Sequence, residues 1–268
     1  MTAPSADNSD MTFWDHLGEL RGTLFRIAAV VIIAAIGFFL IMRWFFEHII
    51  LWPCRADFPL YRALSFISGD GEFLPDLSDT TFSVSLINIK LGTQLMTHLS
   101  ASFWMAIVFT FPFIIYMLWR FVAPGLYPHE RRGARRAFLF GNLMFYTGTA
   151  VGYLIVYPLA LRFLSQYQLS EHIANTLTLD SYMDSFYSTI LAMGIVFELP
   201  LLAWMLGRMG IITRSFFSRY RRHAIVAIAA LSAIITPTSD ILTLVIVFVP
   251  LYALWEASSL LVPRPDPH

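Results

Sequence analysis

Four long apolar stretches dominate the sequence and limit what it can fold into: Leu24–Phe46, Leu99–Trp119, Ala137–Leu161 and Ser185–Gly207. The second and third contain no charged residue, and the fourth contains only Glu198. The first carries Arg26 and Arg43 near its ends, where long cationic side chains snorkel to the interface. Each reaches the roughly 20 residues that a ~30 Å hydrocarbon core requires. Helix is the economical choice, because every backbone N–H and C=O in lipid must find its partner inside the segment. Composition agrees: of 268 residues, 57% are apolar and 13% charged, against about 25% charged in soluble domains. An all-α membrane protein follows, organised as one polytopic domain over 1–268.

Two further apolar stretches are shorter or interrupted. His223–Thr236 has 14 residues, which at helical rise covers only ~21 Å. Ile241–Val262 is longer but contains Glu256, and the turn Thr236-Pro237-Thr238-Ser239-Asp240 joins the two. A re-entrant hairpin is one reading. The preferred one is a pair of short helices that thin the bilayer, giving six transmembrane helices in all. Both readings put the two chain ends on the same side.

Arginine placement sets the orientation. Arg131, Arg132, Arg135 and Arg136 crowd one loop, Arg208, Arg214, Arg219, Arg221 and Arg222 another, and Arg21 precedes the first span. The alternate loops are acidic: Glu47, Asp57, Asp70, Glu72, Asp76 and Asp79 in the first, Glu171, Asp180 and Asp184 in the second. The positive-inside rule then puts both termini in the cytoplasm. Residues 47–98 read as an external cap loop with turn chemistry at Trp52-Pro53 and Gly69-Asp70-Gly71 and strand-like alternation at Phe82, Val84 and Leu86. Met1 to Asp10 is polar, without a basic n-region or cleavage site, and reads as a mature terminus. A net charge of zero argues against nucleic-acid binding, and one cysteine, Cys54, makes neither an internal disulfide nor a cysteine-based metal site. No cofactor or metal is expected.

Three constellations remain. Phe13-Trp14-Asp15-His16-Leu17-Gly18-Glu19-Leu20-Arg21 repeats its leucines at helical spacing, so 1–23 reads as a cytoplasmic segment with an amphipathic helix lying on the membrane surface. Its charges are either a recognition site or a solvated anchor. Tyr116 to Arg132 sets Trp119, Phe121 and Tyr127 at headgroup level and one acid, Glu130, beside arginines; charge balancing is the plainer explanation. Glu198, with Pro200 after it, lies ~20 Å along a helix from Ser185 and ~14 Å from Gly207, deep in hydrocarbon. Pro200 cannot donate to the carbonyl of Val196. A buried acid beside a kink marks either a functional site or a carboxyl bonded to a neighbouring helix.

These blocks resemble the TatC family. Phe13, His16, Leu17, Glu19, Leu20 and Arg21 match its N-terminal signature. Phe111-Pro112 through Tyr116, Trp119, Phe121, Pro124, Leu126, Tyr127 and Glu130-Arg131-Arg132 are similar to its first cytoplasmic loop. Phe197-Glu198 with Pro200 resembles its fourth-helix acid, and Thr236-Pro237 with Asp240 its last outer turn. The blocks stand in family order from Phe13 to Val262. The chain departs from the pattern at Met117 and Leu244, where members often carry polar residues.

The resemblance implies a multi-pass protein of the bacterial inner membrane. Its function would be to receive twin-arginine signal peptides at the cytoplasmic face, as core subunit of a translocase that exports folded proteins on the proton-motive force. Glu19, Glu130, Phe121, Arg21, His16 and Leu20 would form the peptide site. Glu198, Pro200, Asp240 and Pro53 would serve translocation and contact with single-span subunits of the TatA and TatB type. Self-association within the translocase is implied as well. A proton-coupled small-solute transporter is the alternative, but Asn142 and Tyr146 are a thin polar set at the depth of Glu198, and no internal repeat is visible. No span carries a Ser/His pair, an aspartate dyad or a zinc motif, so no enzyme is expected.

The orientation is directly testable. In a Cys54→Ala background, cysteines at Asp76 and Asp180 should label with an impermeant reagent from outside the cell, and one at Arg135 should not. Outside labelling at Arg135 would overturn the assignment.

Overall fold

The structure is a computed structural model that describes residues 13–67, 82–122, 131–166, 170, 176–208, 210–236 and 241–262. It is helical almost throughout. In chain order the elements are α1 (Phe13–Phe45), α2 (Pro59–Ile67), β1 (Leu86–Ile87), α3 (Thr93–Val122), α4 (Arg131–Val151), α5 (Tyr157–Gln166), β2 (Leu177–Thr178), α6 (Leu179–Val196), α7 (Leu199–Arg208), α8 (Arg214–Arg219), α9 (Arg221–Ile235) and α10 (Ile241–Leu261). Among the described residues, five segments are long and apolar enough to cross a membrane: Leu17–Cys54, Thr93–Phe121, Leu139–Gln166, Leu179–Arg208 and Thr243–Leu261. The segment expected as the fifth of six spans is α9, a helix of 15 residues, about 22 Å long at helical rise.

The amphipathic segment expected before the first span is helical from Phe13 and continues into that span as one unbroken α1. Nothing interrupts it: no proline occurs between Phe13 and Phe45, and neither Gly18 nor Gly22 adopts positive φ.

Two spans contain a wide π-helical turn, at Phe46–Ile50 and at Gly152–Val156. Both precede a proline, Pro53 and Pro158. A proline in regular helix loses a backbone bond and crowds the carbonyl four residues back, and an extra residue in the turn relieves this. The carbonyls around the first turn are taken up by tyrosines. Tyr153 donates to the Ile49 oxygen at 2.7 Å, and Tyr182 donates to that of Ile50. The Tyr61 hydroxyl lies 3.0 Å from the carbonyl oxygens of both Pro53 and Pro158.

The cap is thus built onto the bundle. Phe58, Tyr61 and Phe82 form a small core with Trp52, Val84 and Tyr153. The alternation read at Phe82–Leu86 is real: Phe82 is buried, Arg55 bridges Ser83 in antiparallel fashion, and β1 pairs in parallel with β2, Leu86 opposite Leu177. Arg162, 1% exposed, holds its guanidinium 4.9 Å from the Tyr61 ring centroid and 4.8 Å from that of Phe82. Such cation–π contact favours a cation in a desolvated aromatic setting. Burial pushes the Tyr61 hydroxyl above its ordinary range, so it stays a donor.

Neighbouring spans run antiparallel. On α1 and α3, Phe39 stacks on His98 and Phe38 meets Phe109. His98 Nε2 also lies 2.9 Å from the Phe39 carbonyl oxygen. The N-terminal end of α1 therefore lies at the C-terminal end of α3. The α4–α6 contact is closer still and depends on glycine. A Cβ on Gly148 would stand 2.5 Å from the Met193 carbonyl oxygen and 2.6 Å from Phe197 Cβ; one on Gly152 would stand 3.2 Å from Ile190 Cα. Gly194 answers from α6 against the Phe145 ring. Without a hydrophobic drive between helices in lipid, such backbone approach supplies the association.

Gly148→Ala should lower the thermal unfolding midpoint of the purified protein in detergent, since relieving that overlap costs about 1–3 kcal/mol. Gly37→Ala, where a Cβ meets nothing within 4 Å, should not lower it, since alanine fits a helix at least as well as glycine. Equal midpoints for the two variants would refute the glycine contact.

Candidate functional site

Glu198 occupies a break between helices. α6 ends at Val196, α7 begins at Leu199, and Pro200 stands in the first turn of α7. The Glu198 N–H turns back to the Ile195 oxygen at 3.0 Å, three residues away, and its own carbonyl accepts from Leu202 at 3.0 Å. The α-helix is therefore interrupted at Phe197–Glu198, directly before Pro200.

The carboxylate faces α4. A Cβ on Gly141 would lie 3.1 Å from Glu198 Oε2, 3.7 Å from Oε1 and 2.7 Å from Leu201 Cδ2. Gly141 is therefore the notch that admits the acid between α4 and α7. Glu198 is half-buried, and Oε1 is buried with no hydrogen-bond partner among the described residues. A buried acceptor left so costs about 1–3 kcal/mol, more if charged. Among the described residues Glu198 is the acid with a buried, unmatched side-chain oxygen. Gly141 was not singled out from the sequence, because a lone glycine in an apolar helix carries no signal of what it faces.

The second set of residues gathers at the arginine-rich end. Glu19 and Arg21 are exposed on α1, with the Arg21 guanidinium 5.6 Å from the Phe25 ring centroid, and Leu20 is half-buried. Leu17, Leu20, Arg21, Leu24 and Phe25 line a mostly apolar hollow of about 430 Å3 along the helix. Phe121 is half-buried near the end of α3, and the antiparallel α1–α3 pair brings that end alongside the Glu19 end. Glu130 and Asp240 lie outside the described residues, as does the side chain of His16. Pro53 lies buried in the short 3-10 turn Trp52–Cys54 at the opposite end, beneath Tyr61.

One ionic contact at the arginine-rich end escaped the sequence reading. Arg221, at the start of α9, pairs with Glu256 near the end of α10 at 2.8 Å, and Tyr252 donates to the other carboxylate oxygen at 2.9 Å. The charge noted inside the last span is thus a tie between the two short helices. At the cap end Lys90 lies 3.2 Å from Asp180.

Together, the antiparallel apolar spans, the glycine-mediated α4–α6 contact and the interrupted helix presenting an acid define a polytopic helical membrane protein with a polar group held inside the bilayer. Residues 15–250 match the family model described as TatC, Sec-independent protein translocase protein. The chain belongs to the TatC family. It is 33% identical over 243 residues to the Sec-independent protein translocase protein TatC of Deinococcus radiodurans, covering 91% of this chain and 82% of that protein. It is 31% identical over 252 residues to the one of Campylobacter jejuni, covering 94% of each. Two crystal structures of a twin-arginine translocase receptor, TatC, superimpose with TM-scores of 0.69 and 0.73 at 30% and 29% identity, each over 92% of this chain and 97% and 99% of the other.

The notch has a quantitative signature. Gly141→Ala should destabilise the protein, and by less when Glu198 is also replaced by Ala, because removing the carboxylate makes room for the methyl group. A coupling of about 0.5–3 kcal/mol is expected for residues in contact, read from unfolding of the four proteins in detergent. Strict additivity would show that Gly141 and Glu198 do not meet.

Proposed function

We propose that this chain is the signal-peptide receptor and core subunit of a twin-arginine translocase in the bacterial cytoplasmic membrane, with both termini in the cytoplasm. The observation that carries the reading is the α1–α3 pairing, which joins an exposed acid, Glu19, to the end of α3 near Phe121, beside an apolar hollow on α1. A twin-arginine signal needs both features. Guanidinium is a planar fork that pairs bidentately with carboxylate. Glu19 and Glu130 supply acids for it, with His16, Leu20, Arg21 and Phe121 as the surrounding wall. The apolar part of the signal then lies along the leucine-lined stripe of α1.

Glu198 serves a different step. Its carboxylate, held in the Gly141 notch with one oxygen unmatched, accepts a donor from a single-span subunit of the TatA or TatB type. Pro200 interrupts the helix beside it, and Pro53 and Asp240 take part in the same translocation step. α9 counts as the fifth of six spans, too short for an undistorted bilayer, so the membrane thins beside the α9–α10 pair. Transport draws on the membrane potential, about 2.3 kcal/mol per charge per 100 mV. Several copies associate in the working translocase. The family displaces the small-solute transporter reading.

Binding of a fluorescent twin-arginine signal peptide to the protein in nanodiscs tests this. Glu19→Ala and Glu130→Ala should each weaken affinity about ten- to a hundredfold, as expected for one charge-assisted pair at ~1.5–3 kcal/mol, while Glu198→Ala should bind as wild type does. Wild-type affinity in both Glu19 and Glu130 variants would remove the proposed site.

A further inference from the structure

A second hollow, of about 460 Å3, opens at the arginine-rich end between α8, the start of α9 and the last turns of α10. Its walls carry Arg214, Ser215, Arg221, Glu256, Ser259 and Leu260. Phe217 seals its floor, buried against Trp255 with ring centroids 4.7 Å apart and clustered with Val262. Leu260 is 68% exposed at one rim and Phe216 and Tyr220 stand exposed on the same short stretch as Arg214. The site therefore joins a polar recess to an apolar margin, at the depth where a spanning helix ends.

The charges in it do not cancel. Glu256 is already engaged by Arg221 and by the Tyr252 hydroxyl. Arg214 makes no hydrogen bond or ion pair among the described residues, nor do Arg219 and Arg222 on the same helices. Ser218 and Ser259 donate to backbone carbonyls, at 3.0 and 2.7 Å, so the free donors are the guanidinium of Arg214 and the Arg221 nitrogens turned away from Glu256. A cationic signal peptide is repelled here. An anion is attracted, and in this layer of a membrane the abundant anion with an apolar tail is a phospholipid.

We infer that the hollow bounded by Arg214, Arg221 and Ser259 is a binding site for the phosphodiester headgroup of an anionic phospholipid, with the acyl chains running along Leu260 and the exposed face of α10. Basic recesses between membrane helices suit such headgroups, and guanidinium matches phosphate oxygens in pairs. The Arg221–Glu256 tie lets the site hold α8, α9 and α10 together around the lipid.

Native mass spectrometry of the full-length protein, titrated with dioleoyl-phosphatidylglycerol and with dioleoyl-phosphatidylcholine, tests the site. Wild type should retain phosphatidylglycerol in preference. Arg214→Gln should lower that affinity about fivefold, the scale of one basic residue at a membrane surface. Arg214→Lys should keep most of it, and Arg55→Gln, at the other end of the bundle, all of it. Excess inorganic phosphate should not displace the lipid. Equal retention of the two lipids, wild-type affinity in Arg214→Gln, loss in Arg214→Lys equal to that in Arg214→Gln, or displacement by phosphate would each overturn the lipid site.

Discussion

In hydrocarbon every backbone N–H and C=O must find a partner within the protein, and the rest of this structure can be read as the ways the chain meets that demand. Regular helix meets it for most residues. The interruptions are where the side chains become specific. At the proline-linked turn after α1, carbonyls leave the ladder and tyrosine hydroxyls from distant helices take them up: Tyr153 at Ile49, Tyr182 at Ile50, Tyr61 at Pro53. Those same tyrosines tie the first span to α2, α4–α5 and α6. One repair therefore also builds the cap end of the bundle, and the buried Arg162 guanidinium against Tyr61 and Phe82 completes it.

The break at Phe197–Glu198 is treated differently. No tyrosine closes it, and the acid sits in a glycine notch with an oxygen unmatched among the described residues. Repair at one end and an unmatched polar group in the middle are two outcomes of the same constraint. The first ties the spans together; the second leaves a buried oxygen without a partner among the described residues. The close α4–α6 contact through Gly148, Gly152 and Gly194 supplies the stiffness that keeps the acid in place.

Much of this was legible in the sequence. Long apolar stretches with few charges announce spans because hydrocarbon thickness sets their length, and Glu198 with Pro200 stood out because both are expensive in a membrane helix. The strand-like alternation at Phe82–Leu86 also came through, since period two survives even in a short strand. What could not be read were relations between distant residues. Gly141 has meaning only opposite Glu198, Glu256 only opposite Arg221, and Arg162 only beneath two aromatic rings. The surface helix expected before the first span turned out to be continuous with it, because a leucine period fixes a helical face but not where the helix bends.

Charge separates the functions of the arginine-rich end. On α1, Glu19 offers an acid beside an apolar stripe, which suits a cationic and then apolar ligand. On α8 and α9, Arg214, Arg219 and Arg222 offer uncompensated cations beside an apolar rim, which suits an anionic and then apolar one. On the proposed reading, a signal peptide at α1 and an acidic lipid at α8–α9 obey the same physical rule, an interfacial charge set against a hydrophobic margin. Because ~10 Å of electrolyte screens exposed charges at ordinary ionic strength, the two fields need not cancel. On that reading, a cationic peptide is attracted by Glu19 on α1 and repelled by the arginines of α8 and α9, so the two charge sets favour different ligands.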